Sequence, residues 1–182
     1  MPISYSRLKN AALQDVVQHL AVAARTAPKT KGRDFLVVIA LTQADKKRVV
    51  RRMLEIGKRR KLPFFIRDAG NLKHVDHVVV IATTSGTAGL DCGYCGRKTC
   101  KDLNKRKGVC AFNSIDLGIA LGSSAALAAN FHADNRMMYS VGLAALDLGL
   151  LGKKAVQAIG IPLSATGKSP FFDREKKKKG GK

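Results

Sequence analysis

The chain has 182 residues, with 33 Lys and Arg against 13 Asp and Glu and a formal net charge of +20. Hydrophobic residues make up 46% of it, which predicts a globular domain with its own core and excludes a disordered chain. We find no uninterrupted apolar stretch of the roughly 18 residues that a transmembrane helix needs. The N-terminal MPISYSRLKNAALQD also lacks the apolar region of a signal peptide. These features predict a cytoplasmic protein with no membrane contact.

The first half of the chain shows helical and strand patterns in turn. Apolar residues at helical spacing predict a helix over about residues 8–26, and Pro28 follows it. The continuous apolar run 35–41 (FLVVIAL) has strand length and β-branched residues, which predicts a central strand. Thr42 and Asp45 then form the T-x-x-D start of a second helix, whose apolar stripe has Arg and Lys on its other side.

The second half of the chain carries two more strand patterns and two more helices. Strands are predicted over 76–83 and 155–161. A helix of small residues is predicted over 114–132, and another over 135–148, which ends at Gly149.

The order of these elements predicts one domain. We expect a three-layer α/β or α+β unit over residues 1–172, interrupted by a cysteine-rich metal loop at about 85–113. The basic tail 173–182, which contains KKKKGGK, has low complexity and is expected to be disordered.

All four cysteines of the chain lie in the segment DCGYCGRKTCKDLNKRKGVC. Cys92, Cys95, Cys100 and Cys110 have the spacing C-x2-C-x4-C-x9-C. In a cytoplasmic protein such a group is more typical of metal or redox chemistry than of disulfides. A C-x-x-C turn brings two thiolates onto one ion, and the glycines between them permit turns that aim backbone N–H groups at sulfur. The segment is therefore predicted to be a metal site.

Two kinds of metal site are compatible with this spacing. A structural zinc ion takes four thiolates tetrahedrally, and iron–sulfur clusters are also held by four cysteines. Both sites are anionic, so the bases around the cysteines favour both alike. These bases are Arg97, Lys98, Lys101, Lys105, Arg106 and Lys107.

The segment CGYCGRKTC resembles the 4Fe–4S ligand motif C-G-x-C-G-x-x-x-C of several redox and corrinoid-linked proteins, although the fourth ligand of that motif usually lies farther on than Cys110. Four stretches of the chain resemble an uncharacterised family of ferredoxin domain-containing proteins. They are CGYCGRKTC, CAFNSIDLGIALGSS, ADNRMMYSVGLAALDLGLL and IGIPLSATGKSPFFDR. The resemblance implies a 4Fe–4S cluster and an electron-transfer function, with a redox protein as partner.

More distantly, the whole chain is similar to the nitroreductase-like flavoproteins. ARTAPKTKGRDFLVVI resembles their helix end, cofactor loop and strand, IDLGIALGSSAALAA their central dimer helix, and GIPLSATGKSP their C-terminal strand. The resemblance implies an α+β sandwich with a mainly antiparallel sheet, a homodimer, and FMN near the dimer interface. Two parts of the family pattern are absent, namely the Arg-Arg-Ser start and the Asn-x-Gln-Pro-Trp run, which residues 31–35 replace.

The flavin resemblance points to four bases as contacts of the FMN phosphate. They are Lys29, Lys31, Arg33 and Lys168. Their alternative role is that of solvated loop bases. With flavin bound, the protein would be an FMN-dependent oxidoreductase, in which the flavin converts single electrons into two-electron chemistry on a small substrate.

The helix predicted over 114–132 is the candidate dimer interface. Gly118, Gly122 and the small residues 123–129 leave room for two backbones to approach closely. Isologous pairing is the commonest assembly of soluble proteins, so a homodimer is predicted. The alternative is that this helix is the central buried helix of a monomer.

A function from another class also fits the residues, that of a zinc-loop nucleic-acid-binding protein. C-x2-C-x4 spacing followed by bases is similar to a zinc knuckle, and an isoelectric point of about 10.3 suits RNA or DNA. Against it, the third ligand is Cys100 rather than His, and Tyr94 is the one aromatic residue between the cysteines. A third possibility is an assembly protein whose cluster is purely structural.

Overall fold

The computed structural model describes residues 2–172, so the tail for which disorder is predicted, 173–182, lies outside the described residues. The helices are α1 (Tyr5–Thr26), α2 (Gln43–Arg59), α3 (Pro63–Leu72), α4 (Cys100–Lys105), α5 (Ala111–Asn130) and α6 (Tyr139–Asp147). The strands are β1 (Leu36–Ala40), β2 (His77–Thr84), β3 (Asp134–Asn135) and β4 (Ala155–Ser164). A single 3-10 turn, Thr30–Gly32, joins α1 to β1.

The strands form one antiparallel sheet in the order β1-β2-β4-β3. β2 lies in the middle, with Val80 opposite Ile39 of β1 and Gly160 of β4. The antiparallel sheet implied by the flavoprotein resemblance is therefore confirmed. The prediction that 35–41 is a central strand is wrong, because β1 is an edge strand.

Helices cover both faces of this narrow sheet. Val78 and Val80 of β2 pack with α2, α3 and α6, whereas Val79 and Ile81 pack with α1 and α5. This produces the three layers that the element order predicts. It also explains why even the edge strand β1 is apolar throughout, because its alternate residues contact the two different helical layers.

The ends of several elements follow from local contacts. Thr42 Oγ1 accepts the backbone N–H of Asp45 at 3.1 Å, so the predicted cap of α2 is confirmed. The helix predicted over 135–148 begins only at Tyr139, because β3 pairs with β4 and Met138 bridges to Gly160 before it. Neither α3 nor α4 is among the predicted helices.

α6 packs closely on β4. A Cβ atom at Gly142 would lie 1.8 Å from the carbonyl oxygen of Ala158, and one at Gly160 would lie 2.3 Å from Val141 Cγ1. Two glycines thus let the helix backbone lie directly on the strand backbone.

Candidate metal centre

The cysteine loop runs from the end of β2 to the start of α5 and begins with a glycine turn. Gly93 and Gly96 have φ of +76° and +75°, and Gly96 N–H donates to the carbonyl of Gly93 at 2.8 Å. Glycine adopts such angles without strain. The turn reverses the chain around Cys92 and Cys95, as the sequence predicts.

Cys92 and Cys100 are brought into one region by a hydrogen bond that closes the loop. Asp91 Oδ1 accepts the backbone N–H of Cys100, the first residue of α4, at 2.5 Å. Thr99 Oγ1 caps the same helix by accepting Asp102 N–H at 3.2 Å. The residue before Cys92 is thereby fixed to Cys100.

Cys95 and Cys110 lie in the apolar part of the loop. They share a small apolar cluster around Leu103, and Cys110 is the buried N-cap residue of α5. Tyr94 stacks on Phe112 with ring centroids 5.6 Å apart and ring planes at 11°. The stacking holds the C-x-x-C turn against the first turn of α5.

The four cysteines are free thiols whose exposure differs along the loop. Cys110 is buried, Cys95 and Cys100 are half-buried, and Cys92 is exposed. Within residues 2–172, no three His, Cys, Asp or Glu side chains lie close enough together to hold a metal ion. The donor set fits a thiolate-bound metal or cluster in type and number.

The bases of the loop are all exposed, as their placement on α4 and in the flanking turns requires. Arg106 pairs with Asp102 at 3.1 Å. The other bases between 97 and 107 form no ion pair with any residue of the described part of the chain. The loop therefore presents a strongly positive surface.

Lys29, one of the four predicted flavin contacts, lies at the C-terminal end of α1. Its Nζ donates to the carbonyl oxygens of Ala24, Arg25 and Ala27 at 3.3, 2.6 and 2.8 Å. Lysine at this end of a helix satisfies free carbonyls and interacts well with the helix dipole.

The other three predicted flavin contacts lie on two segments that are far apart in the sequence. Lys31 and Arg33 are exposed on the α1–β1 loop, and Lys168 is exposed after β4. Arg33 Nη1 donates to the carbonyl of Ala88 at 3.4 Å. The α1–β1 loop thus adjoins the start of the cysteine loop.

Two buried polar residues of α5, which the sequence analysis missed, fix this junction. Asp116 accepts Thr30 N–H at 3.1 Å and Thr30 Oγ1–H at 2.9 Å. Asn113 Nδ2 donates to the carbonyl of Gly86 at 3.2 Å, while its Oδ1 is buried with no partner among the described residues. Asp116 is the one acidic residue in the apolar sequence of α5, and this could have identified it as a buried polar contact.

The side of α5 that faces away from α1 is apolar and exposed. Ile115 and Ile119 are 45% and 41% exposed, and Gly118, Gly122 and Ala126 continue the same stripe. A cavity of about 420 Å³ lies beside it, between α5, α6 and β4. The stripe contains no charged side chain.

By length and composition alone, α5 could also cross a membrane. It has 20 residues and a mean hydropathy of 1.2, so the expectation that no such stretch exists needs this correction. One side of α5 packs against α1 and the sheet in the domain core, as a core helix of a soluble domain does. This packing in the core accounts for the apolar composition of α5.

The chain has relatives in sequence. A family described as "Uncharacterized protein containing a ferredoxin domain (DUF2148)" matches residues 106–174, a range that includes Cys110 and follows the other three cysteines. An uncharacterized protein from Archaeoglobus fulgidus is 37% identical over 187 residues, which cover 98% of this chain and 100% of the relative.

The fold resembles several solved flavoprotein structures. A BluB-like flavoprotein from Clostridium difficile has a TM-score of 0.59 and 16% identity, covering 98% of this chain and 87% of that one. A nitroreductase with bound FMN from Desulfitobacterium hafniense has a TM-score of 0.57 and 15% identity, covering 92% and 80%. The hypothetical oxidoreductase YcnD from Bacillus subtilis has a TM-score of 0.55 and 12% identity, and the chain spans 60% of its length.

These likenesses confirm the predicted α+β sandwich of the nitroreductase type. The description of the family as containing a ferredoxin domain supports a redox protein. The chain belongs to the family of uncharacterized proteins that contain a ferredoxin domain.

Proposed function

We propose that this protein is an iron–sulfur redox protein in which Cys92, Cys95, Cys100 and Cys110 hold a 4Fe–4S cluster. The observation that carries the proposal is that four free thiols lie in one short loop, which turns at Gly93 and Gly96. The description of the family as containing a ferredoxin domain supports iron–sulfur over zinc. Free thiols at this density fit a reducing, cytoplasmic setting.

The chain's own residues would bind and stabilise such a cluster. When bound, the cluster supplies one-electron transfer. Cys110, buried at the N-cap of α5, places a thiolate at the positive end of a long helix. The exposed bases between 97 and 107 offset the negative charge of the cluster and would attract an acidic redox partner.

Reversible reduction tests whether the cluster transfers electrons or is only structural. We expect anaerobic dithionite to bleach the visible absorption and to produce a paramagnetic signal that disappears on reoxidation. A cluster that resists reduction, or that is lost after one cycle, would favour the structural role.

We infer that FMN binds at the junction of the α1–β1 loop and the cysteine loop. The contact between Arg33 and Ala88 makes these loops neighbours, so a flavin there would lie beside the cluster loop. The unpartnered Oδ1 of Asn113 is an acceptor suited to a ligand N–H. Lys31, Arg33 and Lys168 remain available to a phosphate, whereas Lys29 is engaged by α1.

The flavin is tested by titrating apo-protein with FMN and following the quenching of its fluorescence. The double variant Lys31→Gln, Arg33→Gln should weaken binding about tenfold or more, because it removes two charge-assisted contacts. Arg59→Gln, Arg60→Gln removes the same charge at the end of α2 and should have a much smaller effect. No quenching at micromolar protein with an intact cluster would remove FMN from the proposal.

We also propose that the working unit is a homodimer paired through the apolar stripe of α5. The stripe around Ile119 and Gly122 is exposed and uncharged. Pairing with a second copy would bury this area, and Gly118 and Gly122 allow close approach of two helices. Because each chain carries +20, salt should tighten the dimer by screening repulsion.

Light scattering after gel filtration measures this assembly. Wild-type protein should have about twice the chain mass of 19.6 kDa, and Ile119→Glu should be monomeric. Ile66→Glu on α3 is the matched control, because Ile66 is 44% exposed against 41% for Ile119. Wild-type protein of single-chain mass at both low and high salt would reject the dimer.

A further inference from the structure

A second candidate binding site lies on the opposite helical layer from α5, between α2 and the end of α3. It is a cleft of about 600 Å³, within the roughly 300–1,000 Å³ that small-molecule sites occupy. It is lined by Gln43, Lys46, Lys47, Val50, Arg51, Leu72 and Lys73. The cleft uses none of the cysteines and none of the predicted flavin contacts.

The lining of this cleft is positively charged. None of its lining residues is acidic, and Lys47, Arg51 and Lys73 form no ion pair with any residue between 2 and 172. Nearby acids already have partners, since Asp45 pairs with Arg48, Glu55 with Arg52 and Asp76 with Lys9. A multiply charged anion would neutralise the cleft.

Lys46 reaches across the cleft wall. Its Nζ donates to the carbonyl of Val75 at 2.6 Å. Burial lowers the pKa of Lys46, Asp76 opposes that change, and the charge of Lys47 adds to it. An anion in the cleft would favour the charged form of this lysine.

The floor of the cleft is apolar. Val50 is half-buried above the buried Leu72, and the alkyl stems of the lysines extend its apolar surface. The planar guanidinium of Arg51 can stack on an aromatic ring. The side chain of Gln43 donates to the carbonyl of Asp76 and keeps its own oxygen as an acceptor for an amino group.

We propose that this cleft binds a nucleotide carrying at least two phosphate charges. The phosphates would lie against Lys47 and Lys73, and the base would lie on the apolar floor at Val50, beside Arg51. Cationic walls over an apolar floor suit this class better than inorganic phosphate, which has no apolar part, or an apolar ligand, which has no charge.

Isothermal titration calorimetry of anaerobically purified full-length protein tests the proposal, with ADP, adenosine and pyrophosphate as probes. ADP should bind more tightly than either adenosine or pyrophosphate. Lys47→Gln, Arg51→Gln should weaken ADP binding about tenfold or more, because it removes one charge-assisted phosphate contact and the guanidinium beside the base. Arg59→Gln, Arg60→Gln is the matched control at the end of the same helix and should change it by less than about twofold.

Both double variants replace exposed bases with a good helix former, so circular dichroism should show both folded. Equal weakening by the two variants would mean diffuse attraction to a basic surface and would overturn the site. Pyrophosphate binding as tight as ADP binding would overturn the role of the apolar floor. Tight binding of a single-stranded RNA without binding of ADP would also reject the nucleotide.

Discussion

Replacement of any one of Cys92, Cys95, Cys100 and Cys110 by Ser is expected to remove most of the iron and sulfide from anaerobically purified protein. A hydroxyl is a poor substitute for a thiolate ligand, and the remaining three cysteines cannot complete a four-cysteine site. The measurement is iron and acid-labile sulfide per chain, with the visible absorption of the same sample.

The fold should survive these substitutions, so that loss of iron reports loss of a ligand. Cys110 makes no side-chain cap bond at the start of α5, and Ser is a preferred N-cap residue. Thr99→Ser is the control in the same loop, because it retains the hydroxyl that caps α4. A cysteine variant that keeps full iron content would remove that cysteine from the ligand set.

Gly142→Ala is expected to cause the largest loss of stability of any single methyl addition in the domain. The new Cβ would lie 1.8 Å from the carbonyl oxygen of Ala158, so α6 must move away from β4. Overpacking of this kind costs about 3 kcal/mol, which is roughly 6–12 °C in Tm for a chain of this size. Thermal unfolding followed by circular dichroism measures it.

Gly70→Ala is the matched control for that substitution. Gly70 lies inside α3 with no atom within 4 Å of the added Cβ, and Ala in a helix interior is favoured over Gly by about 0.5–1 kcal/mol. The control should therefore leave Tm unchanged or raise it. A Gly142→Ala protein as stable as this control would contradict the close packing of α6 on β4.

Local patterns in the sequence were enough to predict most elements, because helix and strand periodicities record which face is buried. The position of a strand within the sheet cannot be predicted from such local patterns. The run 35–41 is apolar because two helical layers cover β1, and that covering depends on chain segments far away in sequence. Strand order could therefore be predicted only as part of the flavoprotein resemblance.

The two helices that were not predicted, α3 and α4, differ in how strongly the sequence indicates them. Pro63 is the first residue of α3, and Phe65, Ala69 and Leu72 follow at helical spacing. The sequence pattern therefore indicates this helix. The six-residue helix α4 depends on Thr99 and on the distant acceptor Asp91. No periodicity in so short a segment indicates it.

In the candidate metal site, too, local sequence features were predictable and contacts between distant segments were not. The spacing of the cysteines predicted the ligand type, and the glycine turn between Cys92 and Cys95 followed from composition. The apolar cluster that Cys95 and Cys110 share and the stacking of Tyr94 on Phe112 are contacts between separate segments. Such contacts have no signature in a single sequence.

The most direct test of the iron–sulfur proposal is the absorption spectrum of anaerobically purified wild-type protein, read with iron, sulfide and zinc analysis. We predict a brown protein with broad absorption at roughly 400 nm and with iron and sulfide in equal amounts, about four of each per chain. A colourless protein that carries one zinc ion per chain and no sulfide would contradict the proposal.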